Sequence, residues 1–153
     1  MSDIVGSRWP REALRLLGLD VGDRRIGVAI SDPTGSLASP VEVYHRRDQA
    51  ADTQHVMDLA DELEANGVVV GLPKNMNGTE GPQAEKTREF ADTLTARGLD
   101  VHLWDERLST VEATRRMVEQ RHRRRGIQQR IDSEAAALIL QTYLDFVRIR
   151  GEQ

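Results

Sequence analysis

Leu16-Leu17-Gly18-Leu19-Asp20, then Gly22, then Arg25-Ile26-Gly27-Val28-Ala29-Ile30-Ser31-Asp32 is the stretch from which the fold follows. A short apolar run bounded by turn residues marks a strand buried in a sheet. Leu14–Asp20 and Ile26–Ser31 therefore predict two strands, and a connection as short as the Gly22 turn makes them antiparallel. Asp20 is out of keeping with the apolar residues before it. A carboxylate withdrawn from water costs free energy unless something pairs with it. A bound cation, or a phosphate ligand held through one, is a natural partner. An acid that caps a turn is the plainer use of the same residue.

Reading outward, Ala38–Tyr44 predicts a third strand of an antiparallel meander. Asp48–Glu64 carries Val56, Leu59, Ala60 and Leu63 at helical spacing, with Asn66-Gly67 as the stop signal. Val68–Leu72 is continuously apolar, as expected of a strand covered on both faces. The polar loop Pro73–Gly81 leads into a helix that opens at Pro82, carries Phe90, Ala91 and Leu94, and ends at Gly98. Leu99–Trp104 predicts a fifth strand. Ser109 or Thr110 suits the cap of a further helix, and Asp132 or Ser133 the cap of a last one with Ala136, Ile139, Leu140, Tyr143 and Val147 in its stripe. The expected fold is α/β: a five-stranded mixed sheet, three antiparallel meander strands then two parallel ones, flanked by helices. One domain spans 14–150, behind a flexible N-terminal extension over 1–13.

Composition narrows the function classes. No apolar stretch approaches the roughly 20 residues of a membrane helix, and the N-terminus has no signal-peptide core. The chain lacks cysteine, which excludes disulfides, thiolate metal sites and a cysteine nucleophile, and fits a cytoplasmic protein. The net charge is −4, but between Val111 and Ile131 seven arginines stand against two glutamates, a local +5. A basic arm on an acidic body suits one grip on a polyanion, although a solvated helix face is the commoner use of such a run.

The acids lie in three separate places: Asp20 after the first strand, Asp105 and Glu106 after the fifth, and Asp132 at the last helix. Sites in mixed α/β sheets form beyond the C-terminal ends of the strands. Carboxylates gathered there would repel one another, and Mg²⁺ or Mn²⁺ relieves such repulsion while leaving positions open for phosphate oxygens. Two such ions about 3.5–4 Å apart can clamp both oxygens of a phosphodiester displacement.

Asp20-Val-Gly22 with Arg25-Ile-Gly27, Gly71-Leu72-Pro73, Asp105-Glu106-Arg107-Leu-Ser109-Thr110 and Asp132-Ser-Glu-Ala135-Ala136 through Gln141 together resemble the YqgF or RuvX family, the pre-16S rRNA nuclease family. The motifs span Leu16 to Tyr143 in the family's order. The resemblance implies a ribonuclease H-like fold related to the resolvase RuvC. It further implies metal-dependent nuclease chemistry and processing of the 5′ end of 16S ribosomal RNA. Carried onto this chain, the catalytic, metal-binding acids are Asp20, Glu106 and Asp132. Asp105 is the alternative to Glu106, because adjacent strand residues point to opposite faces. One or two Mg²⁺ or Mn²⁺ ions are the implied cofactors.

Several residues are candidates for substrate contact. Gly22 and Gly27 suit either a tight turn or a backbone that approaches a phosphate. Lys74 and Asn75 sit in a loop too polar for the core. Arg25 and Arg107 each neighbour a site acid and suit an ion pair or a phosphate. Arg121, Arg123, Arg124 and Arg125 form a basic clamp just before Asp132. Trp104 suits core packing more than base stacking, and the four histidines share no ligand spacing. The expected partner is nucleic acid, RNA first and branched or single-stranded DNA second, with pre-ribosomal particles and no membrane; the oligomeric state is open. A Holliday-junction resolvase-like enzyme and a non-catalytic RNA-binding assembly factor are the competing readings.

Overall fold

The computed structural model describes residues 15–108 and 128–151. Strands β1 (Leu16–Val21), β2 (Arg25–Ser31), β3 (Ala38–His45), β4 (Gly67–Leu72) and β5 (Val101–Asp105) form one sheet in the order β3-β2-β1-β4-β5. β1 pairs antiparallel with β2, and β2 with β3, whereas β1–β4 and β4–β5 are parallel. The meander and the two parallel strands are those expected from the sequence. The helices are α1 (Gln49–Glu62), α2 (Pro82–Ala96) and α3 (Gln128–Gly151), and a 3₁₀ turn covers Glu106–Leu108. No helix among the described residues is long and apolar enough to cross a membrane.

Strand alternation divides the core into two layers. Leu17, Leu19, Val21, Ile26, Val28, Val68 and Val70 pack on Val56, Leu59 and Ala60 of α1 and on Phe90 and Leu94 of α2. Leu16, Ala29, Val69 and Trp104 face the other way, onto Ala135, Ala136, Ile139, Leu140, Tyr143 and Leu144 of α3. Every residue of β4 is buried, which explains its unbroken apolar run. Each large apolar side chain so covered contributes about 1.5–3 kcal/mol. Trp104 is core, its Nε1–H donating to Thr142 Oγ1 at 3.0 Å and its ring set edge-on to Tyr143.

Three boundaries differ from expectation. α1 stops before Asn66-Gly67. Ala65 N–H bonds to Ala60 O at 2.8 Å and Glu64 N–H to Asp61 O at 3.2 Å, with Glu64 at φ 55. Those two bonds end a helix with a left-handed residue, here a glutamate where glycine is usual. Gly67 instead opens β4, and Asn66 Oδ1 accepts the Arg15 N–H at 2.9 Å. The fifth strand starts at Val101, since Gly98, at φ +100, and the residues after it complete the turn out of α2. Finally, neither Asp132 nor Ser133 caps α3, which begins at Gln128. The apolar stripe reaches back to buried Ile131, one helical turn before Ala135. The expected helix capped by Ser109 or Thr110, the Arg121–Arg125 arm and the 1–13 extension lie outside the described residues.

Candidate active site

The alternation of β1 fixes the direction of Asp20. A Cβ placed on Gly18 would lie 2.7 Å from Leu140 Cβ, so position 18 faces α3. Asp20, two residues on, shares that face. Its cross-strand partner is Gly27. A Cβ there would stand 2.0 Å from the Asp132 carbonyl oxygen and 2.4 Å from its carbonyl carbon. Gly27 is therefore needed so that α3 can rest its backbone on β2, and the approach it permits is that of a helix, not of a phosphate.

β4 continues the arrangement on the other side of β1. The parallel register sets Gly18 against Val69 and Leu19 against Val70, and its next step sets Asp20 beside Gly71. A Cβ on Gly71 would meet Glu106 Oε2 at 2.8 Å and Ile139 Cδ1 at 2.6 Å. Glu106 thus reaches back from the 3₁₀ turn over β4. Asp20, Glu106 and Asp132 share one face and one end of the sheet, around a floor without side chains at Gly27 and Gly71.

Asp105 has different surroundings. Trp104 faces α3, so Asp105 at the next position faces away from it. Arg107 Nη2 donates to Asp105 Oδ2 at 2.8 Å, and the Arg107 N–H to Oδ1 at 2.9 Å. This guanidinium holds the Asp105 carboxyl below its ordinary value, with a smaller contribution from Lys74. Arg107 Nη1 also donates to Met76 O at 3.2 Å, fastening the 73–81 loop to the end of β5.

The remaining candidates divide by their engagement. Arg25 Nε donates to Asp132 Oδ2 at 2.7 Å, and both side chains are half-buried. Asn75 is used within its own loop, its Nδ2 donating to Thr79 Oγ1 at 2.9 Å. The Gly22 N–H donates to Arg25 O at 2.9 Å, and Gly22 O accepts Arg46 Nη1 at 2.8 Å, so its N–H serves the hairpin turn, not a phosphate. A cavity of about 240 Å³ opens between Gly22, Asp23, Arg24, Arg25 and Asp132.

Sequence reasoning missed the brace behind this hairpin. Asp52 is only 1% exposed. Its Oδ1 accepts from the Tyr44 hydroxyl and the Arg47 N–H, and its Oδ2 from Arg46 Nε, each at 2.9 Å. Arg46 lies over the Phe90 ring at 5.2 Å while its Nη1 holds Gly22. The signal was available: Asp52 falls on the apolar stripe of α1, one turn before Val56.

Among the described residues no three carboxylate or imidazole groups stand close enough to enclose a metal ion as they are. Electrostatics accounts for this. Two carboxylates 4 Å apart repel by about 4 kcal/mol at an effective dielectric of about 20. Asp132 is instead drawn to Arg25. The donors fit a hard divalent ion in kind, since all are carboxylate oxygens.

The RuvX family model, described as Holliday junction resolvase, matches residues 14–146. The chain belongs to the RuvX family. Among RuvX relatives, a Clostridium botulinum (strain Hall) protein named "Putative pre-16S rRNA nuclease" is 47% identical over 133 residues, 86% of this chain and 97% of the relative. A Halothermothrix orenii protein of the same name is 49% identical over 138 residues, 87% of this chain and 96% of its own. The solved structure of T. thermophilus RuvC in complex with Holliday junction substrate superposes with a TM-score of 0.59 and 15% identity, over 89% of this chain and 96% of that one. That likeness is one of fold, and gives this RuvX chain the ribonuclease H-like architecture.

Proposed function

We propose that this chain is a divalent-metal-dependent nuclease that processes the 5′ end of pre-16S rRNA in the cytoplasm, on pre-ribosomal particles, with Asp20, Glu106 and Asp132 as its metal-binding acids. The observation that carries the reading is that Asp20, Glu106 and Asp132, from three distant elements, lie on one face and at one end of the sheet, beside Gly27 and Gly71. Membership of the RuvX family and the name of its curated relatives support the reaction and the RNA.

A bound Mg²⁺ or Mn²⁺ would supply an activated water and stabilise charge on the phosphodiester. The chain supplies the positioning. Asp20 is fixed by central β1, with paired strands on both sides. Asp132 is fixed by the seating of α3 on Gly27, and Arg25 neutralises it until a cation competes. Arg25 is then left beside the site with donors for a phosphate oxygen. Glu106 stands on the 3₁₀ turn with its carboxylate over Gly71 and would supply a further oxygen ligand. Asp105 serves through Arg107 as the clasp of the 73–81 loop.

The second reading is a junction resolvase, favoured by the family description and by the RuvC-like fold. Cleavage of matched single-stranded RNA, single-stranded DNA and a four-way DNA junction separates the two. Each is tested with Mg²⁺, Mn²⁺ or chelator, using wild type beside Asp20→Asn. The expected result is cutting of RNA that chelator stops, that either ion restores and that the variant lacks while still folded. Undiminished cutting by Asp20→Asn refutes the acid site. Junction cutting alone selects the resolvase, and retained RNA binding with no cutting selects an assembly factor.

A further inference from the structure

Most cationic side chains among the described residues are engaged. Arg25 is held by Asp132, Arg46 by Asp52, Arg88 by Glu80, Arg97 by Gln54 and Arg107 by Asp105. The guanidinium groups of Arg24 and Arg47 have no hydrogen-bond or ion-pair partner among the described residues. Their backbones, by contrast, are fixed. Arg24 O accepts the Arg46 N–H at 2.8 Å, and the Arg47 N–H donates to buried Asp52 Oδ1 at 2.9 Å. The brace described above thus sets two exposed arginines at fixed stations with their heads uncommitted.

Both line a cleft of about 710 Å³ between the β1–β2 hairpin, the end of β3 and helices α1 and α2. Its acids are mostly occupied: Asp23 faces Lys86, Asp48 caps α1, and Asp52 is buried under Arg46. With Glu89 the cleft has four acids against Arg24, Arg46, Arg47 and Lys86, so its lining is formally neutral, and Arg24 and Arg47 are the cations in it whose heads are uncommitted. Arg24 also lines the smaller cavity whose other wall includes Asp132. The hairpin tip at Asp23 and Arg24 therefore joins the cleft to the acid site.

We propose that this cleft carries the sugar–phosphate backbone of the substrate strand outside the scissile bond, with Arg24 and Arg47 on successive phosphates. The proposal rests on the nuclease reading and extends it, by giving the strand a path from Asp132 over the hairpin tip towards α1. A cleft of this volume exceeds what one inorganic phosphate fills. Guanidinium forks suit phosphate oxygens of any sequence, so the contact positions a strand without reading its bases.

The test is binding by the full-length chain, read by fluorescence anisotropy over a salt series on single-stranded RNA, single-stranded DNA and a four-way junction. Asp20→Asn serves as the background, so that cutting does not intrude. On single strands each lost phosphate contact lowers the slope of log K against log salt by about 0.7. Adding Arg24→Ala and Arg47→Ala should lower it by about 1.4 and weaken binding about tenfold or more at low salt. Lysine at both positions should restore the slope, and Arg97→Ala, outside the cleft lining, should change nothing. Loss on all three polymers assigns the cleft to backbone in general, and loss on one identifies that strand as its occupant. Unchanged slope and affinity in the double alanine variant, or no binding by the unaltered cleft, overturns the proposal. The nuclease reading fails separately, through cutting that survives Asp20→Asn.

Discussion

Adding one methyl group at Gly27 tests whether the seating of α3 sets the site. The new Cβ would lie 2.0 Å from the Asp132 carbonyl oxygen, where real contacts essentially never fall below 3.0 Å. The obstacle is helix backbone, so no side-chain rotation relieves it, and the first turns of α3 must retreat by about 1 Å. Overpacking of this kind costs about 1–3 kcal/mol. Replacing glycine in a strand returns about 0.5–1 kcal/mol. The net loss of about 0–2.5 kcal/mol lowers Tm by up to about 10 °C for a chain of this size. A misplacement of about 1 Å costs about a hundredfold in rate. The assay pairs thermal unfolding with single-turnover cleavage at saturating Mg²⁺. Gly98→Ala is the control: its φ of +100 strains a side chain, with nothing within 4 Å, so it should lose comparable stability at wild-type rate. A Gly27→Ala chain that cuts within about twofold of wild type refutes the placement of Asp132 in the site.

Gly71→Ala should behave differently, because its Cβ would meet the movable ends of Glu106 and Ile139 at 2.8 and 2.6 Å. Stability should fall by under about 1.5 kcal/mol, as for volume changes that neighbours absorb, while cleavage drops about tenfold or more as Glu106 is displaced; equal losses in both variants would contradict this difference. Asp52→Asn addresses the brace. Burial pushes the Asp52 carboxyl up, but the Arg47 N–H, the Arg46 guanidinium and the Tyr44 hydroxyl outweigh it and hold the group below its ordinary 3.8. Its stabilisation is therefore complete well above that value and lost as pH falls through the depressed one. Urea unfolding should show the asparagine variant about 1.5–3 kcal/mol less stable at pH 7, with the gap closing towards acid. A gap independent of pH would mean that charge is not what holds Arg46 and Arg47.

The sheet was legible because its strands carry their burial in their spelling. β4 reads as an unbroken Val run since both its faces are covered, and α2 ends where Gly98 says it should. The start of α3 was misplaced because Asp132 looks like a cap, and local capping preference lost to the pull of Ile131 into the core. Gly27 was misread for a related reason: a glycine announces that something comes close, and only the register with Asp20 says that it is α3. The face on which Asp20 lies follows from strand periodicity once the sheet order is known, whereas Asp132 is placed by the packing of α3 on Gly27. The separation of Asp105 from Glu106 follows from the same rule. The Arg46–Asp52 brace needed the third dimension, since nothing in the spacing pairs the end of β3 with the Gly22 turn.

β1 is the first described strand, yet it lies third across the sheet, and β4, its neighbour on one side, begins at Gly67. A ribosome synthesising this chain makes Asp20 before Glu106 and Glu106 before Asp132. Until α3 has emerged and settled against Gly27, the nascent polypeptide holds its acids on unconnected pieces. On the proposed reading a growing chain surrounded by ribosomal and messenger RNA thus has no complete cutting centre. Cleavage competence, on that reading, waits for α3, and the order of the genetic message itself delays it.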